Sequence, residues 1–304
     1  MDLDIVRIEC EIITERVAQV TAPLHEELRK FETYFKTSCC RTPHKTCSSW
    51  AEHDESPYKI IFSQNLSSDP EVVRLHQKPP LPFALTVSSD ERGLTTTSLS
   101  VGLVVIGSAV NFVEHFYAAL LLLVETVVHS ALGPDQYSYH SYMLDYQGVK
   151  HEILHGTTCS DRIILLSGQQ ILHNAVQSDS IRISLKSPLR LLCNGSVIHL
   201  FDFAAFFRSQ MRRCSSLCAY YGSGELHLDF AQLSDRVQDV AVFDDQMRYI
   251  QPRWSKLKNR AGLSGSAEFS GLVEPMAALL QLGSYFNAGK GATFGAGQYE
   301  IEVM

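Results

Sequence analysis

Strand-forming and helix-forming segments follow one another in the same order twice along these 304 residues, which restricts the architecture more than any single motif does. In the first half, residues 3–17 carry Leu3, Ile5, Ile8, Cys10, Ile12 and Ile13, largely on alternate positions, and predict a strand. Residues 23–35 space Leu24, Leu28, Phe31 and Phe35 three or four apart and predict a helix. Strands are expected at 83–87 and 99–106, then a long helix at 109–131 stopped by Gly133-Pro134, then a strand at 137–146. The second half gives a cleanly alternating strand at 181–185 and a helix from Phe203 to about 221, capped by Asp202 and followed by Gly222. Two strands are expected within 248–273, a short helix opens at Pro275, and a last strand covers 298–303. Strand–helix–strand–strand–helix–strand is the split βαβ order. The expected fold class is therefore α+β, with tandem ferredoxin-like (RRM-like) domains at 1–150 and 151–304 and a glycine-rich loop near the C-terminus.

Composition supports folded domains, with 45% hydrophobic and 19% charged residues. The uncharged stretch 93–113 runs into an apolar segment interrupted by Glu114, His115 and Glu125, so a buried helix explains it better than a membrane span. No secretory signal is visible at the acidic start, and the eight cysteines are expected to be reduced thiols of a cytoplasmic protein.

The net charge of −7 argues against an unspecialised binder of phosphate chains, but the charge is segregated. Residues 181–213 hold six basic side chains (Arg182, Lys186, Arg190, Arg208, Arg212, Arg213) against Asp202. Residues 248–260 hold five (Arg248, Arg253, Lys256, Lys258, Arg260) and no acid, whereas 225–245 hold six acids and one arginine. Such segregation permits a basic groove on an acidic protein. Tyr249 and Trp254 interleave the second basic run and could stack on bases.

Five of the fifteen residues from 283 to 297 are glycine. Exposed backbone N–H groups in such a run can cradle phosphate. Two nucleotide motifs fail, however. A Walker A loop needs four residues between its glycines, and here five separate Gly283 from Gly289, with Gly291 where Ser or Thr is required. A dinucleotide fingerprint needs a third glycine where Phe294 stands, and a helix after it. A glycine-rich turn into a final edge strand is the plain alternative.

The stretch from Leu282 through Asn287-Ala288-Gly289-Lys290-Gly291-Ala292-Thr293-Phe294-Gly295-Ala296-Gly297 to Ile301 resembles the C-terminal signature of the CRISPR-associated repeat-processing endoribonucleases, of the repeat-associated mysterious protein superfamily. Ser187-Pro188-Leu189-Arg190-Leu191, Gly195, Arg212-Arg213 and Tyr220-Tyr221-Gly222 continue the likeness upstream, and Ser56-Pro57-Tyr58 and Pro79 to Phe83 extend it more loosely. The resemblance implies two ferredoxin-like domains that bind CRISPR repeat RNA, with the glycine-rich loop at the RNA. It also implies cleavage without metal or cofactor, in which a ribose 2′-hydroxyl attacks the adjacent phosphate and leaves a cyclic phosphate. That chemistry needs a base, an acid and a cation, roles open to histidine, tyrosine and lysine. The catalytic candidates are His44 and Lys45 in the loop after the first helix, with His25 and Tyr34. The RNA-binding candidates are Asn287, Gly289, Lys290, Gly291, Gly295, Gly297, Arg212, Arg248, Arg253, Lys256, Lys258 and Arg260. Two positions depart from the family pattern: Asn287 stands where relatives often carry histidine, and Ser56 where they often carry cysteine before Pro-Tyr.

Expected partners are the repeat RNA or mature crRNA and other subunits of a CRISPR effector complex, with no membrane. A non-catalytic crRNA-binding subunit is the alternative function, and an unrelated ferredoxin-like protein with a structural zinc is the third. Cys39, Cys40, His44, Cys47 and His53 match no standard CxxC pair, so no metal is expected.

Overall fold

The computed structural model describes residues 2–39, 56–89, 98–153, 163–175, 178–193, 195–224, 226, 228–251 and 261–304. The chain forms two compact units, Asp4–Leu166 and Ser167–Met304, the latter including Met1–Leu3.

In the first unit β1 (Asp4–Ile13) leads through α1 (Val17–Glu27) and a 3-10 turn (Leu28–Lys30) to α2 (Phe31–Ser38). Short helices α3 (Pro57–Phe62) and α4 (Pro70–Leu75) precede β2 (Phe83–Ser89) and β3 (Ser98–Ile106). The long α5 (Val113–Leu132), β4 (Ser138–Leu144) and β5 (Lys150–Glu152) complete it. The strands lie in the order β2-β3-β1-β4-β5. Ile8, opposite both Leu103 and Met143, fixes the antiparallel register of the three middle strands. Because β5 pairs with β4, residues 150–152 stay with the first unit, beyond the expected boundary at 150.

The helix expected at 23–35 differs in its limits. It begins at Val17, breaks into a 3-10 turn, and carries Pro23 inside α1. Pro23 is exposed, while Val17, Val20 and Leu24 are buried on the other side, so packing overrides its helix-breaking tendency. The Ser-Pro and Asp-Pro pairs start α3 and α4: Ser56 accepts a hydrogen bond from the Lys59 N–H, and Asp69 from the Glu71 N–H. Ser56, which the resemblance marked as a departure, is thus a buried helix cap.

Phe31 and Phe35 on α2, Phe83 on β2 and Phe116 on α5 pack together, all fully buried, with ring centroids of Phe35 and Phe116 4.6 Å apart and of Phe83 and Phe116 5.4 Å apart. The helical stretch Gly107–Leu132 is long and apolar enough to cross a membrane, and Phe116, Leu120, Leu123, Val124 and Val128 within it are all buried. Phe116→Ala is expected to cost about 4 kcal/mol, as truncation of a fully enclosed ring does, measured as a lower urea midpoint at unchanged slope.

A two-residue strand, β6 (Leu166–Ser167), spans the junction. The second unit then runs α6 (Gly168–His173), β7 (Ser180–Leu189), a small hairpin β8 (Leu192–Cys193) and β9 (Ser196–Val197), α7 (Phe203–Tyr221) and α8 (Phe230–Arg236). It continues with β10 (Ala241–Asp245), β11 (Arg248–Ile250), β12 (Gly262–Ser270), α9 (Glu274–Ser284) and β13 (Tyr299–Val303). Its sheet has the order β10-β12-β7-β13, with β11 also on β12. Numbered within each unit as first to fourth strand, both sheets read 2-3-1-4, the arrangement the split βαβ order generates. The fold is a tandem of ferredoxin-like units. Asp202 caps α7 as expected, its carboxylate accepting from the Ala205 N–H at 3.0 Å. The edge strand β10 was not expected; it lies in the stretch read only as acidic.

Candidate RNA-contacting loop

The glycine-rich segment leaves α9 at Tyr285, turns at Asn287 and returns at Gln298 into β13. Asn287 has a φ of 59°, a left-handed conformation that asparagine tolerates better than most residues. Its side-chain amide donates to the Ala292 carbonyl at 2.9 Å. Gly291 and Gly295, at φ of 86° and 87°, bracket a single 3-10 turn, Ala292–Phe294.

The end of β7 holds the loop on one side. Lys290 N–H donates to the Arg190 carbonyl at 2.8 Å, Gly297 N–H to Pro188 at 3.0 Å, and Ala288 N–H to Gly297 at 2.8 Å. A Cβ at Gly289 would collide with the Arg190 carbonyl, and one at Gly297 with the Ala288 carbonyl. These two glycines are required by close backbone approach within the protein.

That packing corrects the expected phosphate cradle. The N–H groups of Ala288, Lys290, Ala292, Phe294, Gly295, Ala296 and Gly297 all donate to carbonyls of the chain itself. Asn287, Gly295 and Gly297 are buried, so their expected role as RNA contacts gives way to one in shaping the loop. Lys290 and Gly291 are exposed at its tip, and Gly289 is half-buried.

The basic run 181–213 is likewise largely engaged. Arg182 pairs with Glu268, Lys186 with Glu300 at 2.9 Å, and Arg208 donates to the Ser234 hydroxyl at 3.0 Å. Arg213 donates its Nε to the Phe286 carbonyl at 2.8 Å, and burial pushes its guanidinium down to about 10. Arg212 is exposed and Arg190 half-buried. Arg248 is exposed on β11, with Nη1 3.3 Å from the Met247 carbonyl. The Tyr249 ring, expected to stack on bases, is stacked on His199 with centroids 4.0 Å apart. Arg253, Trp254, Lys256, Lys258 and Arg260 lie outside the described residues.

Of the catalytic candidates, His44 and Lys45 lie outside the described residues, as do the possible zinc ligands Cys40, Cys47 and His53. Cys39 is a buried thiol that burial pushes up to about 11. His25 is half-buried in the last turn of α1. Tyr34 on α2 donates its phenol to Glu27 at 2.7 Å, and Glu27 also takes Lys30 at 2.9 Å. Burial, reinforced by that carboxylate, pushes Tyr34 up to about 12, so near neutrality it is a proton donor and not a base. Sequence reasoning missed Glu27, although its spacing from Lys30 and Tyr34 on helical turns was readable. It also missed His115, whose Nδ1 lies 3.2 Å from the Ser38 carbonyl at the end of α2.

No curated protein matches the chain significantly. Residues 29–138 match a family model described as an N-terminal domain, and residues 183–299 match the model of the CRISPR-associated endoribonuclease Cas6. Among solved structures, Thermus thermophilus Cas6 is similar, with 12% identity, a TM-score of 0.55 and 99% of each chain covered. A product complex of the same Cas6 gives 14% identity and a TM-score of 0.53, covering 99% of this chain and 100% of that one. At such identities these two likenesses are of fold. The matched segment 183–299 contains most of β7, all of α7, β12 and α9 and the whole glycine-rich loop, and over it the chain is similar to the CRISPR-associated endoribonuclease Cas6 family.

Proposed function

We propose that the chain processes precursor CRISPR RNA by metal-independent cleavage within the repeat, acting in the cytoplasm and handing its product to an effector complex. The coarser activity, that of an endoribonuclease on CRISPR RNA, is supported by the match to the Cas6 model. The observation that carries the proposal is the match over residues 183–299, which includes the loop with Lys290 exposed at its tip.

In the proposed step the ribose 2′-oxygen attacks the adjacent phosphorus and the bond to the 5′-oxygen breaks. The hydroxyl proton passes to a base, and the departing 5′-oxygen takes a proton from an acid, giving a 2′,3′-cyclic phosphate and a free 5′-hydroxyl. His44 and His25 are the proposed imidazoles, Tyr34 the proposed acid, and Lys45 a cation for the phosphate. For Tyr34 to act, its proton must first leave the hydrogen bond to Glu27.

The test is incubation of the purified protein with one repeat of its own genome's CRISPR array in excess EDTA. Cleavage at one position is expected. Tight binding without cleavage would instead favour a crRNA-binding subunit. Lys290→Ala is expected to weaken binding and to reduce the slope of log affinity against log salt by about 1, the effect of losing one phosphate contact. An unchanged slope would remove Lys290 from the phosphate path.

A further inference from the structure

The loop that carries Lys290 is fixed from below by two side chains of α7. Gln210 and Arg213 are three residues apart and so share a face of that helix. Gln210 Nε2 donates to the Asn287 carbonyl at 3.1 Å, and Arg213 Nε donates to the Phe286 carbonyl at 2.8 Å. The two acceptors are consecutive, at the point where the chain leaves α9 and turns left-handed at Asn287. Gln210 is completely buried, with no other room: a Cβ on Gly283 would press on its side-chain oxygen and on the Tyr299 hydroxyl. Tyr299 in turn donates to the Leu280 carbonyl at 2.7 Å, tying β13 to α9 below the same loop.

Packing alone does not explain Arg213. Among the described residues, its second guanidinium nitrogen, Nη2, is buried without a hydrogen-bond partner and no carboxylate acts on it. A half-buried cation with an enclosed, unpaired nitrogen is costly to keep. A leucine or methionine would fill the same space without that cost, so the charge and the donor call for a reason.

We infer that Gln210 and Arg213 are positioning residues: together they clamp the Phe286 and Asn287 carbonyls and thereby set the glycine-rich loop in the shape that presents Lys290 to an RNA phosphate. The inference rests on the reading of this loop as an RNA contact. The clamp acts through Lys290, and neither clamp side chain touches the nucleic acid. Without it the turn at Asn287 loses both carbonyl tethers on the helix side, and the tip is held by β7 alone.

A double-mutant cycle between Arg213 and Lys290 decides the matter, with the affinity for one synthetic repeat RNA as readout. Lys290→Ala is expected to weaken the wild type by about tenfold, one good charged contact. Arg213→Met is expected to lose a similar factor, and adding Lys290→Ala to it should cost less than about twofold more, because a displaced lysine has little left to lose. Arg213→Lys keeps the charge and one donor and is expected to recover affinity to within about threefold of wild type. Should Arg213→Met fail to fold, Gln210→Met replaces it in the same cycle with the same expected non-additivity. Additive losses in variants with native circular dichroism would overturn the inference alone. No binding by the wild type, or no effect of Lys290→Ala in it, would overturn the RNA-contacting loop and the clamp's role with it.

Discussion

Replacing the 2′-hydroxyl by hydrogen at the nucleotide preceding the cut is expected to abolish cleavage of the repeat while leaving its affinity within about twofold. The substituted atom is the proposed nucleophile, so the rate should fall by at least about a thousandfold, the scale on which deleting a reacting group acts. A nuclease that activates water would hardly notice this change, because its nucleophile comes from solvent. A protein that merely stores the RNA would show no cleavage of either substrate. The same experiment run at several pH values reports the acid and the base. Tyr34 keeps its proton up to about 12, so the rising limb near neutrality should belong to an imidazole. If His44→Ala and His25→Ala both leave that limb unchanged, the base lies elsewhere.

Gly297→Ala is expected to be the most damaging conservative change in the loop. The residue has a φ of 64°, where an L side chain costs about 1–2 kcal/mol. Its new methyl would also press on the Ala288 carbonyl, an overpacking cost of about 1–3 kcal/mol. About 3 kcal/mol in total should appear as a lower denaturation midpoint, together with weakened RNA binding. Gly291→Ala is the matched control. Its φ of 86° carries the same conformational cost, but its Cβ would come no nearer than 3.3 Å, to the Ala296 Cβ, so about 1–2 kcal/mol is expected. If the two variants are equally stable, close approach at Gly297 is not what requires the glycine.

Those glycines mark the limit of what could be read from the sequence. Periodicity revealed β1, β7, α5 and α7, because each buries one face over several turns or alternations, and Asp202 announced its own helix. The edge strand β10 escaped: its side chains Val242 and Phe243 are exposed, so the run lacks alternating burial, and two aspartates end it. Pro23 misled because local propensity was outweighed by the burial of Val20 and Leu24. The loop's composition suggested free N–H donors, but those of Lys290 and Gly297 go to Arg190 and Pro188, about a hundred residues earlier, and the others to carbonyls within the loop. The basic run 181–213 likewise suggested a groove, but Glu268 and Glu300 reach Arg182 and Lys186 only once the strands are paired. The resemblance pointed to the Cas6 endoribonucleases, and geometry then separated the loop's buried framing residues from the exposed Lys290 and Gly291.

The internal bonding of the loop has a consequence for association. A run with five glycines would, if unstructured, lose about 1–2 kcal/mol of backbone entropy per residue on being ordered by a ligand. Here Asn287, the β7 carbonyls and the α7 side chains have ordered it during folding. On the proposed reading, Lys290 is therefore presented from a preorganised frame, and little of its attraction for a phosphate would be consumed in organising the protein.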